Sequence, residues 1–257
     1  MTKLQCPLVP ASAAFEQEAV RLANRYRLCM VRAAELDTQI PFILLLDKAG
    51  LSLQVQPVAQ KEFGRSALYV DFAGDSRFRT PMRVSDPLAK ALGVRSGVRP
   101  MVWDMTGGLG RDAWAIASVG CQVVVYERHP VVAALLADGL RRARESDLPT
   151  VRKISERIEL VHGDATEFLP TSQLDVLYFD PMFPERNKSA LVKKEMRIFR
   201  ALVGEDLDAS QLLEKACASG ARRVVVKRLL HAPLVSDQKP TYQIKGSRLR
   251  FDVYLMT

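Results

Sequence analysis

From about residue 83 onward, apolar runs of strand length alternate with stretches of helical periodicity, and one junction between them is built around three glycines. The run Asp104-Met105-Thr106-Gly107-Gly108-Leu109-Gly110-Arg111-Asp112 follows a strand-like segment at 101–105 and leads into a helix predicted over 112–119. This order leaves few folds open, because parallel strands need a long crossover and a helix is the usual one. Further strands are predicted at 121–127, 158–162, 174–180 and 223–227, with helices at 85–92, 130–144, 189–202 and 209–218. At the end of the chain, 242–245 and the alternating Leu249, Phe251, Val253 and Leu255 flank a tight turn at Gly246-Ser247, so those two strands must run antiparallel. The expected fold is α/β, a doubly wound parallel sheet that finishes in an antiparallel hairpin.

The first 80 residues read differently. A helix is predicted over 15–26, and strands at 42–46 and 51–55 flank the turn Asp47-Lys48-Ala49-Gly50. Another strand is expected at 67–72. The reading is a small α+β domain at 1–80 and a sheet domain at 81–257. The small domain carries no evident chemistry and reads as a packing or substrate-orienting appendage.

Cys6, Cys29, Cys121 and Cys217 show no paired spacing, so neither a metal site nor a disulfide framework is indicated. No apolar run approaches the roughly 18 residues of a membrane span, and Met1-Thr2-Lys3-Leu4 opens no secretory leader. A cytoplasmic protein is expected. The net charge of +8, from 37 Lys and Arg against 29 Asp and Glu, fits a polyanionic partner or simply a basic surface.

Glycines between a strand and a helix let a ligand press against the backbone and face the first helical N–H groups. Gly108-Leu109-Gly110-Arg111-Asp112-Ala113 formally fits a dinucleotide fingerprint, so Gly107, Gly108 and Gly110 alone leave both NAD(P) and S-adenosylmethionine open. Glu127, ending the next strand, suits a pair of ribose hydroxyls or a solvated strand end. Gly163-Asp164 offers room and an acceptor for an adenine amino group, or an ordinary turn. Asp104, just before the glycines, would repel a pyrophosphate but suit a cationic donor.

Another constellation is Asp180-Pro181-Met182-Phe183-Pro184, which ends the run Leu174-Asp175-Val176-Leu177-Tyr178-Phe179. An acid, stiffening prolines and a ring at a sheet's mouth can hold an amino group on a planar base. Asp180 and a carbonyl at Pro181 or Met182 would accept from the amine, and Phe183 would stack on the base. His129, His162 and His231 are isolated and read as structural. Lys188, Lys193, Lys194, Arg197 and Arg200 follow the loop as an RNA-phosphate surface or a solvated helix face. Lys227-Arg228 and Arg248/Arg250 would extend that surface, whereas Arg141, Arg142 and Arg144 read as a solvated helix end.

Asp180-Pro181-Met182-Phe183 resembles the (Asn/Asp/Ser)-Pro-Pro-aromatic motif of amino-group methyltransferases, with Met182 in place of the second proline. Together with 104–112, Glu127-Arg128-His129-Pro130 and 188–197, it makes the chain similar to the RsmJ (YhiQ) family of bacterial 16S ribosomal RNA guanine-N2 methyltransferases. The resemblance runs from about Arg83 to the C-terminus and more loosely through the N-terminal part. It implies a Rossmann-like class I S-adenosylmethionine-dependent methyltransferase sheet. It places Arg111, Asp112, Glu127, Arg128, Gly163, Asp164 and Asp180 around S-adenosylmethionine. It further implies 16S rRNA or the small ribosomal subunit as partner, and guanine 1516 as target. An amino methyltransferase acting on DNA adenine or a protein glutamine, an NAD(P) oxidoreductase and a non-catalytic RNA-binding module remain the rival readings of these residues.

Overall fold

The computed structural model describes residues 6–65, 67–169, 174–181, 194–204 and 208–256. In the first part, β1 (Leu8–Pro10) pairs in parallel with β2 (Phe42–Asp47), which pairs antiparallel with β3 (Gly50–Val55). Helices α1 (Glu16–Tyr26) and α2 (Gln60–Phe63) accompany this sheet. The predicted hairpin forms with Asp47 opposite Gly50, and Gly50 takes φ 110 at the turn. Residues 67–72 do not form the expected strand. Only Leu68 bridges to Leu53, because Val70 and Phe72 are drawn down onto helices of the second part.

The second part holds α3 (Pro87–Leu92), β4 (Val102–Asp104), α4 (Arg111–Ser118), β5 (Val123–Glu127), α5 (Pro130–Arg144), α6 (Pro149–Ser155), β6 (Ile158–His162), β7 (Val176–Phe179), α7 (Lys194–Val203), α8 (Ala209–Cys217), β8 (Arg223–Leu229), β9 (Tyr242–Lys245) and β10 (Leu249–Leu255). Its seven strands lie in the order β6-β5-β4-β7-β8-β10-β9. The first five are mutually parallel, and β10 runs antiparallel to both β8 and β9. This is the Rossmann-like sheet with a terminal hairpin. Every residue of β5 and β7 is buried, as expected for strands covered on both faces. The chain winds one way from β4 through β5 to β6 and the other way from β7 to β8. The crevice beyond the strand ends at that reversal is where such sheets bind ligands.

The two parts share one apolar core that includes Leu44 and Leu53 with Leu135 and Leu136 of α5. Gly139 of α5 lets the backbone of Val70 come close, since a Cβ there would stand 2.7 Å from its carbonyl oxygen. Asp138, 6% exposed, accepts from the N–H of Leu51 (2.9 Å) and from Arg141 and Arg142. Arg142 also donates to the Val70 carbonyl and Arg144 to that of Ile158. Arg142 and Arg144 therefore tie α5 to its surroundings, whereas Arg141 is exposed and pairs with Asp138 and Glu145 at its own helix end, as the sequence reading expected.

Candidate active site

Each strand end at the reversal contributes to one cleft. After β4 come Thr106 and Gly108, at the end of β5 Glu127 and Arg128, after β6 Gly163 and Asp164, and after β7 Asp180 and Pro181. Phe199 and Val203 of α7 close one side. The free volume is about 70 Å³, below the roughly 300–1,000 Å³ of small-molecule sites.

The glycine turn is shaped by close approach. A Cβ on Gly107 would meet Val125 Cγ1 at 2.4 Å, and one on Gly110, at φ 75, would meet Leu136 Cδ1 at 2.6 Å. Gly107 and Gly110 thus set the backbone beneath the cleft, and Gly108 faces it. Glu127, 7% exposed, accepts from the N–H of Gly108 and of His129, each at 2.7 Å. A carboxylate offers about four acceptor positions, a chemistry that suits ribose hydroxyls. Asp164 accepts from Thr166 N–H at 2.9 Å. Arg128 lies between Asp208 (2.6 Å) and Asp164 (3.7 Å) and braces the rim of the cleft.

At the other end of the cleft stands an ionic cluster. Phe179 pairs with Val226 across β7 and β8, so Asp180 and Lys227 follow side by side. Lys227 Nζ lies 2.8 Å from Asp180 Oδ2 and 2.8 Å from Asp112 Oδ2. The Tyr178 hydroxyl donates to the same oxygen of Asp112 at 2.5 Å. The N–H of Asp180 donates to Thr106 Oγ1 (2.7 Å), and the N–H of Thr106 to Asp104 Oδ1 (3.0 Å). The glycine turn and the Asp180 loop are thereby fixed to each other.

Partial desolvation of Asp180, whose side chain keeps 41% exposure, pushes its carboxyl up to about 6, with Lys227 opposing that rise. Burial alone would lower the Lys227 ammonium, but Asp112 and Asp180 raise it above the ordinary lysine value. Asp104, 1% exposed, is pushed up to about 8 by burial and then by the charge of Asp112.

Of the residues singled out from sequence, Gly108, Glu127, Arg128, Gly163, Asp164, Asp180 and Pro181 converge on the cleft. Asp104 lies beneath it, holding Thr106. Arg111 is exposed at the start of α4, and Asp112 turns toward Lys227. Arg197 is exposed, its guanidinium 5.8 Å from the centre of the Phe63 ring. Lys194 begins α7. Phe183, Lys188 and Lys193 lie outside the described residues.

Sequence reasoning missed Lys227, which it assigned to a surface together with Arg228 and Arg250. Arg228 and Arg250 are 3% and 5% exposed; Arg228 donates to the Pro233 carbonyl and Arg250 pairs with Asp252. The missed signal was a lysine ending the apolar run Val224-Val225-Val226, in register with the acid that ends the neighbouring strand. Among the described residues no group of three His, Cys, Asp or Glu is placed to hold a metal ion, and no helix is long and apolar enough to cross a membrane.

Comparison with known proteins agrees with this geometry. The SAM_MT family, described as "Putative SAM-dependent methyltransferase", matches residues 22–256. A ribosomal RNA small subunit methyltransferase J of Dechloromonas aromatica is 55% identical over 222 residues, covering 83% of this chain and 87% of that protein. The protein of the same name from Thioalkalivibrio sulfidiphilus is 48% identical over 225 residues, covering 84% and 85%. A crystal structure of a SAM-dependent methyltransferase from Neisseria gonorrhoeae matches with TM-score 0.74 and 33% identity, covering 97% of this chain and 95% of that one. S-adenosylmethionine rather than a nicotinamide is therefore the cofactor, and the chain belongs to the ribosomal RNA small subunit methyltransferase J family of S-adenosylmethionine-dependent methyltransferases.

Proposed function

We propose that this enzyme methylates the exocyclic N2 of a guanine in 16S ribosomal RNA, guanine 1516 on the family resemblance, in the cytoplasm. The observation that carries the reading is Asp180 at the mouth of the sheet, fixed by Thr106 and Lys227 beside the glycine turn. S-adenosylmethionine, when bound, supplies a methyl group on a sulfonium whose leaving thioether is neutral. Glu127 would hold the ribose hydroxyls and Asp164 the adenine amine, with Gly108 and Gly163 leaving room.

What remains for the protein is mainly position and the activation of a poor nucleophile. The guanine N2 lone pair is delocalised into the ring. Asp180, accepting from an N2–H, turns that nitrogen toward sp³ and frees its lone pair. Pro181 stiffens the loop, Phe183 would stack on the base, and Lys188, Lys193, Lys194 and Arg197 would meet phosphates. After transfer the acidic nitrogen gives its proton to water, so no strong base is required. Residues 1–80, packed on the sheet through the shared core, would orient the RNA, and no metal is expected to take part.

Asp180 accepts most strongly when ionised. Transfer should therefore rise with pH through about 6 and level off above it, as read from kcat/KM between pH 5 and 8. A profile flat across that range removes the ionised Asp180 from the mechanism. The substrate is tested by labelled methyl transfer to small subunits or 16S RNA from a strain lacking this enzyme, followed by digestion and nucleoside mapping. N2-methylguanosine is expected. Label on adenine, or none on RNA, overturns the reading.

A further inference from the structure

The hairpin that ends the sheet turns at the same end as the Asp180 cleft. Strand β10 runs antiparallel to β8 with Leu249 opposite Leu229. The turn at Gly246-Ser247-Arg248 therefore projects beyond the end of β8 that carries Lys227, the partner of Asp180. Two strand spacings, roughly 10 Å, separate β7 from β10 in the order β7-β8-β10. Asp180 is level with Lys227 and Arg248 with Leu230, so the turn also stands about 10 Å further out along the strands. The tip is held in place. The N–H of Gly246 donates to the Leu249 carbonyl (2.8 Å) and that of Leu230 to the Arg248 carbonyl (2.9 Å). The buried Arg250 donates to the carbonyls of Leu229, Leu230 and Ala232. A Cβ on Gly246 would stand 3.6 Å from Pro87 Cγ, so the first turn of α3 packs against the hairpin. Of Lys227, Arg228, Arg248 and Arg250, only Arg248 is exposed; Lys245 is exposed beside it, and Arg83 at the entry to α3. The acid nearest to Arg83 in sequence, Asp86, is half-buried and accepts from the Arg83 N–H at 2.8 Å. Elsewhere Arg21, Arg32 and Arg141 are each matched by a glutamate, whereas Lys245 and Arg248 form no ion pair among the described residues.

We infer that the turn between β9 and β10 is a docking point for the backbone of the RNA, with Lys245 and Arg248 meeting phosphates beside the target nucleotide. The inference rests on the ribosomal RNA reading given above. A base must leave its stack for chemistry on its edge, and the strand it leaves then runs across the mouth of the sheet on either side of Asp180. The turn lies within a few nucleotides' reach of that point. Cations there gain by releasing the counterions condensed on the phosphates. Such contacts fix register and orientation without reading sequence. A frame already ordered by Arg250 and by α3 makes them without the cost of ordering a loop. Arg83, on the α3 side, extends the same positive edge.

Lys245→Gln/Arg248→Gln removes both charges from exposed positions and keeps polar side chains there. Its kcat/KM is read by labelled methyl transfer to small subunits from a strain lacking the enzyme, at fixed magnesium and monovalent salt between about 0.05 and 0.2 M. Each lost phosphate contact flattens the slope of log kcat/KM against log salt by about 0.7–0.9, so the double variant should flatten it by about 1.4–1.8. At about 0.1 M salt, referred to 1 M, that is a fall of roughly 25- to 60-fold. Turnover at saturating subunits, and donor affinity by calorimetry, should stay within about twofold, because the contact is made equally before and during transfer. Arg95→Gln/Lys153→Gln removes two exposed charges ahead of β4 and β6, at the opposite end of the sheet, and should leave the slope unchanged. A wild-type slope in Lys245→Gln/Arg248→Gln, or an equal flattening in the control, overturns the inference. Should Lys245→Gln/Arg248→Gln lose donor binding, Ser247→Glu decides. It keeps both cations, sets a carboxylate on the exposed tip and should lower kcat/KM by about fivefold or more at about 0.1 M salt; transfer like wild type overturns the inference. A wild-type enzyme that puts no label on RNA defeats the ribosomal RNA reading instead.

Discussion

Asp180→Ala is expected to lower kcat by about 10²–10³-fold, the scale seen when one preorganised polar group is removed from a transition state, while S-adenosylmethionine affinity changes little. The reasoning is local. The Asp180 carboxylate is the acceptor that ends β7, and its side chain is 41% exposed, so alanine neither opens a cavity in the core nor strands a buried charge. Lys227 keeps Asp112 as a partner at 2.8 Å. The Asp180 N–H bond to Thr106 is made by the backbone and survives. The glycine turn should therefore still bind donor. Asp180→Asn sharpens the experiment, because it keeps the shape of the side chain but gives up half its acceptor capacity and its charge. Both variants are read by single-turnover transfer at saturating donor, with calorimetry for affinity. Turnover like wild type in Asp180→Ala would take Asp180 out of catalysis.

Lys227→Met should damage the enzyme in a different way, through both stability and rate. Methionine fills most of the space but leaves the Asp112 and Asp180 carboxylates facing each other without the ammonium. Removing one partner of a fully buried pair costs roughly 3–5 kcal/mol. Here the side chains of Lys227 and Asp112 keep 18% and 24% exposure, so about 2–3 kcal/mol is expected after allowing for solvent. The sign of the pH dependence follows. Without Lys227 the folded-state Asp180 carboxyl rises further above its ordinary value of 3.8. A raised carboxylate gives stability that is present at low pH and lost as pH climbs through the folded pKa. Urea denaturation should therefore show a deficit that is larger at pH 8 than at pH 5. A deficit equal at both would mean lost packing rather than unbalanced charge.

Periodicity and turn chemistry made the sheet legible, because strands buried on both faces read as continuous apolar runs and glycine turns mark their ends. Val123-Val124-Val125-Tyr126-Glu127 reads as β5 with its acid in place, and the C-terminal hairpin follows from Gly246-Ser247. Less legible were elements whose residues answer to tertiary partners. Val70 and Phe72 have strand-like composition, yet they spend it packing on Gly139 and Trp114. The three-residue β1 contains Pro10 and is too short for a periodic signal. Helix α6 carries a Pro at its start, a readable cue that was passed over. In the site, each acid could be placed by its strand end. The charge that organises two of them could not, since Lys227, Arg228 and Arg250 look alike in a sequence. Only register and burial separate a lysine that balances two carboxylates from arginines holding a turn.

The bond from Leu51 to Asp138 spans 87 residues, and it bears on how the chain reaches its fold. The first three strands leave the ribosome well before α5, the helix that covers them. Contacts so far apart in sequence must be closed against loop entropy before they return any stabilisation. During synthesis the apolar face of β2 and β3 waits for a cover that is translated later. The segment made first is thus completed late, and its assembly is timed by the arrival of the helix that also underlies the glycine turn.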